Sequence, residues 1–138
     1  MNKILVGLDG SQNAFKALDE GIRLALFYQA ELHTVSVEEI PRFPETISEV
    51  EGEKEAADSK YQEIIEQARQ MAVAQNCPIN PHILVGHEVK MIIEFIRKNK
   101  IDLLIIGFMG VSAVYERLMG STCSSLVRMA PCSVLIVK

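Results

Sequence analysis

Asp102-Leu103-Leu104-Ile105-Ile106-Gly107 decides the fold. Four large aliphatic residues in a row leave no polar face, so the run reads as a strand covered on both sides, the pattern of a parallel sheet between two helix layers. Working outward, Lys3–Leu8 (KILVGL) has the same character and ends at the turn Asp9-Gly10-Ser11. Ser133–Val137 (SVLIV) is a third such run, and Glu31–Val37 (ELHTVSV) is rich in β-branched residues. His82–Val85, closed by Gly86, completes five strands. The intervals carry a helical period. Phe15, Leu18, Ile22, Ala25 and Leu26 follow one after Gln12, with Ser11 or Asn13 as cap. Tyr61, Ile64, Ile65, Ala68 and Ala72 share the face of a second helix that stops near Asn76, before Pro78 and Pro81. Val89, Ile92, Ile93 and Ile96 mark a third, and a short fourth runs from about Gly120 to Met129. Strands alternating with helices predict an α/β domain over 1–138, an open five-stranded parallel sheet with helices on both faces.

At 138 residues the chain is long enough for one substantial core. No apolar run reaches the ~20 residues of a membrane helix, and Met1–Val6 leads straight into a strand, so a cytoplasmic protein with no membrane contact is expected. Three scattered cysteines without a CxxC pair suit reduced thiols, with Cys132 a small core residue. The formal charge is −4, and 38–58 alone carries eight acids against Arg42 and Lys54. Glu38–Glu53, with Pro41, Pro44 and Gly52, reads as a solvated excursion open to a protein partner. Without a Lys/Arg stripe interleaved with aromatics, nucleic-acid binding has no support.

Ligands of such sheets sit at the carboxyl ends of the strands, where the strand order reverses. Two strand ends carry unusual residues: Asp9-Gly10-Ser11, and the stretch Gly107-Phe108-Met109-Gly110, nine residues, then Gly120-Ser121-Thr122-Cys123. Glycine lets backbone approach a ligand closely. A helix opening at Gly120-Ser121 presents unpaired N–H groups and about half a positive charge, with hydroxyls beside them, and phosphate is the natural guest. Neither GxxxxGK[ST] nor GxGxxG is present.

These residues resemble the universal stress protein family over nearly the whole chain. The matching segments are ILVGLDGS at Ile4–Ser11, APCSVLIV at Ala130–Val137, and the G-2x-G-9x-G-S pattern of ATP-binding members at Gly107, Gly110, Gly120 and Ser121. The resemblance implies a Rossmann-like fold of the adenine nucleotide alpha hydrolase type, and a dimeric stress-response protein that binds ATP, ADP or AMP. Any Mg2+ would be held mainly by the phosphates. It implies that Asp9 meets ribose or adenine, that Val37 offers backbone to the adenine edge, and that Ile106 and Gly107 line the ribose. Gly110, Gly120, Ser121, Thr122 and Cys123 would then hold the phosphates, mainly by main-chain N–H. Phe108, Met109 and Val111 depart from the family, which usually places polar and basic residues there.

Among the other residues, His33, His82 and His87 lack a carboxylate or thiol cluster, so no metal site is expected. Met119 and Met129 read as core. SVLIV at a sheet edge would leave an unpaired apolar ladder, which pairing with a second copy through 133–137 removes. No base and nucleophile assemble beside the phosphate segment, so an enzyme is not expected. The alternative is a dimeric stress protein that binds no nucleotide and works through protein contacts.

Overall fold

A computed structural model describes residues 1–39, 47–108 and 121–138, with side chains throughout except at 47–58 and 121. In chain order the elements are β1 (Lys3–Gly7), α1 (Gln12–Tyr28), β2 (Glu31–Glu38), α2 (Ile47–Ala74), β3 (Asn80–Val85), α3 (Glu88–Asn99), β4 (Leu103–Gly107), α4 (Ser121–Met129) and β5 (Ser133–Val137). The strands form one all-parallel sheet in the order β3-β2-β1-β4-β5. This is the α/β architecture that the apolar runs predict.

Strand alternation divides the core in two. Ile4, Val6, Leu32, Leu103 and Ile105 pack under α1 and α2 with Leu18, Ile22 and Ala68. Leu5, Val35, Leu104 and Ile106 face the other way, under Ile92, Ile93 and Ile96 of α3 and Leu126 of α4. The central strands β1 and β4 are buried on both faces, which is why their sequences show no polar alternation.

Three local boundaries differ from the sequence reading. Glu38 is the last, buried residue of β2, and the helix expected after Glu53 already begins at Ile47. Glutamate is a good helix former and one glycine costs a helix only about 1 kcal/mol, so Gly52 does not stop it. Residues 40–46 of the expected excursion lie outside the described residues. β3 starts at Asn80, two residues early, and so includes Pro81. The Gly86 N–H donates to the Glu38 carbonyl, and by the two-residue period the nitrogens of 84, 82 and 80 face β2 while that of Pro81 faces outward. Proline is tolerated there because it removes no ladder bond. Met129, read as core, is exposed.

Candidate nucleotide-binding crevice

β1 is flanked by β2 on one side and β4 on the other, so the chain leaves these neighbouring strands in opposite directions, and a crevice opens between their carboxyl ends. On the β1 side, the Asp9 carboxylate accepts the Ser11 N–H at 2.9 Å. Ser11 in turn caps α1, its hydroxyl accepting the Ala14 N–H at 3.1 Å. Gly10 has φ +88°, and a Cβ there would stand 2.7 Å from Cδ1 of Ile64. The turn is therefore tight because α2 lies against it.

β2 outlasts β1. Their register ends at Gly7↔Val35, with one further bond from the Leu8 N–H to the Val35 carbonyl at 2.8 Å. Val37, two residues on, points its backbone polar groups the same way as Val35, past the end of β1 and into the crevice. The Tyr61 hydroxyl, from α2, donates to the Val37 carbonyl at 3.0 Å. Burial, then the carboxylates of Glu88, Asp9, Glu38 and Glu39, push the Tyr61 pKa up and keep the hydroxyl protonated. Glu88 is raised as well, first by burial and then by Asp9 and Glu39. This end of the crevice is rich in negative charge and hydrogen-bond acceptors.

On the β4 side the glycine has a packing task that the motif does not report. A Cβ on Gly107 would lie 2.6 and 2.7 Å from the Asn13 carbonyl carbon and oxygen and 2.8 Å from the Ala14 nitrogen. The end of β4 thus packs directly on the first turn of α1. Ile106 is 6% exposed and its side chain belongs to the core beneath α3 and α4. Phe108 donates its N–H to the Val137 carbonyl at 2.8 Å, and its own carbonyl accepts from the Asn13 side-chain amide. Lys138 Nζ stands 5.5 Å from the centre of the Phe108 ring, which brings a cation to the edge where Phe108, Met109 and Val111 supply none.

α4 joins two parallel strands, so it runs back along the sheet and its amino end, at Ser121, opens at the same edge. Thr122 is half-buried in its first turn. Cys123 turns its side chain into the core, and burial pushes its thiol pKa up, so what it offers a ligand is its main-chain N–H. Asp9, Val37, Gly107 and the first turn of α4 thus meet at one edge. Gly110 and Gly120, together with Met109 and Val111, lie outside the described residues. Tyr61, Glu88 and Lys138 were not legible as site residues, because Tyr61 fits the helical apolar face and the other two lie at element ends without a motif.

The histidines lie elsewhere. His33 Nδ1 is 3.0 Å from His82 Nε2, with both rings against Phe95 of α3. Burial lowers both pKa values, and His33 lowers that of His82 further. Among the described residues, no three His, Cys, Asp or Glu side chains converge as a metal site, and no helix is long and apolar enough to cross a membrane.

An open parallel sheet with a crevice at its strand-order reversal defines the class of α/β proteins built to receive a ligand at that edge. The model of the Universal stress protein family matches residues 1–138, and the chain belongs to that family. The universal stress protein YxiE of Bacillus subtilis is 30% identical over 149 residues, covering 99% of both chains. The universal stress protein UspA from Lactobacillus plantarum superposes with a TM-score of 0.86 at 25% identity, covering 99% of this chain and 97% of its own. A universal stress protein solved in complex with cAMP gives a TM-score of 0.78 at 26% identity, with the same two coverages.

Proposed function

We propose that this protein binds an adenine nucleotide, AMP, ADP or ATP, in the crevice between β1 and β4, and acts as a cytoplasmic, dimeric stress-response regulator rather than an enzyme. The observation that carries the reading is the opening of α4 at the edge where Asp9 and the Val37 backbone converge. Helix amides suit the phosphates, and the acceptor-rich far end suits a base that donates hydrogen bonds. The relative solved with cAMP, an adenine nucleotide, supports this choice of ligand. Mg2+ accompanying a triphosphate would be held by phosphate oxygens. Micromolar affinity needs about −8 kcal/mol, and helix amides at ~1.5–3 kcal/mol per charge-assisted bond supply part of it.

The dimer reading rests on β5, an edge strand whose Val134, Leu135, Ile136 and Val137 are only half-buried. Antiparallel pairing with a second copy would close its open ladder. Calorimetric titration of ATP and AMP into wild type and Gly120→Val tests the nucleotide reading. Heat with wild type that is lost in the variant is expected. Silence with both ligands refutes the reading and favours a module that works through protein contacts. Hydrolysis well above background, abolished by Asp9→Ala, would instead make the protein an enzyme.

A further inference from the structure

The Val37 carbonyl is the acceptor that β2 extends into the crevice beyond the last residue of β1, and it is already taken. Tyr61 donates to it from α2 at 3.0 Å. Two features hold the hydroxyl in place. The Tyr61 ring packs against the core beneath α1 and α2, and Ile64, one helical turn on, sits directly over Gly10. The surrounding carboxylates of Asp9, Glu38, Glu39 and Glu88 give this end of the crevice acceptors, and Lys60 Nζ stands 5.5 Å from the centre of the Tyr61 ring. A nucleobase entering here is held by its donors, and an exocyclic amino group is the donor that matches a strand-end carbonyl.

We infer that Tyr61 controls access to the base end of the crevice, its hydroxyl occupying the Val37 carbonyl until the amino group of a purine displaces it. This inference rests on the nucleotide reading above. It assigns to that site a specificity residue from α2, an element that the glycine pattern does not include. Displacement exchanges one neutral hydrogen bond for another, so the amino group contributes little net affinity in the wild type. Tyr61→Phe keeps the ring and its packing but leaves the carbonyl unpaired in the free protein, so the same amino group then gains a full hydrogen bond.

The test compares two ligands on each of two proteins: AMP, and purine riboside 5′-monophosphate, which lacks only the exocyclic amino group. In Tyr61→Phe, AMP should bind about 3- to 10-fold more tightly, the worth of one neutral hydrogen bond. Binding of the analogue without the amino group should be unchanged. Because both ligands are measured on the same variant, any general loosening of the fold cancels in their ratio. A wild type that binds while the variant leaves the ratio unaltered overturns the inference alone, since the base then shares the carbonyl or ignores it. An AMP affinity that falls relative to the analogue in the variant also overturns it, because the hydroxyl would then be a direct contact to the amino group. A wild type that takes up neither compound overturns the nucleotide reading, and this inference with it.

Discussion

Gly107→Ala separates a packing glycine from a ligand-binding one. The added methyl would meet three backbone atoms of Asn13 and Ala14 at 2.6–2.8 Å, where no side chain can swing away. Either β4 or the amino end of α1 must move. Overpacking of this kind costs ~1–3 kcal/mol, and the lower entropy of the unfolded alanine chain offsets roughly 0.4–1 kcal/mol of it. The midpoints of these ranges leave a net loss of ~1.3 kcal/mol. Unfolding entropy near 2.1 cal/mol/K per residue amounts to ~0.3 kcal/mol/K for a chain of this length, so Tm should fall by about 4–5 °C. Gly7→Ala is the control, because its methyl would meet only the Ile106 side chain, at 3.3 Å. Scanning calorimetry without nucleotide should show a large drop for Gly107→Ala and a small one for Gly7→Ala. A Gly107→Ala protein that melts within 1 °C of wild type, yet binds AMP more weakly, would refute the packing argument and return this glycine to the ligand.

Further expectations follow from single contacts. The His33–His82 contact is satisfied by one proton between the two nitrogens, and both folded pKa values are lowered. The unfolded chain therefore takes up protons first, near pH 6.5. The pair's contribution is complete above that pH and is lost as pH falls through the lowered folded values. Glu31, which faces His33, opposes the trend, and Lys3 reinforces it. Urea midpoints between pH 7 and 5 should fall less steeply for His82→Gln, and equal slopes would reject the account. Ser11→Ala removes the cap of α1 and should cost about 1 kcal/mol, read as a shift in urea midpoint, whereas Ser11→Asn should restore most of it. Light scattering at micromolar concentration should report twice the 15.4 kDa chain mass, and a monomer would dispose of pairing through β5.

The unbroken apolar runs made the fold legible, because residues buried on both faces of a central strand show it in every position. β5 and the amphipathic face of α3 fall where their patterns place them. The start of α2 was obscured by acids and prolines that mimic a loop, although glutamates also favour helix. What the sequence could not carry is contact across elements. His33 and His82 are 49 residues apart and meet only through the β2–β3 register. Tyr61 lies on an apolar helical face, so nothing in its spacing separates a core ring from one whose hydroxyl reaches Val37. Gly107 belongs to a ligand motif, yet its neighbour across the interface is the Asn13 backbone, which no linear pattern reports.

The sheet's two margins are chemically unlike. β5 offers a run of serine and half-buried aliphatics, while on β3 the outward row of donors is interrupted at Pro81. If a second chain adds at the first margin, as proposed, a third would find an incomplete template at the other. Growth by strand addition would therefore stop once two copies have met, and that finite stoichiometry would be set by a single imino acid on the far side of the molecule.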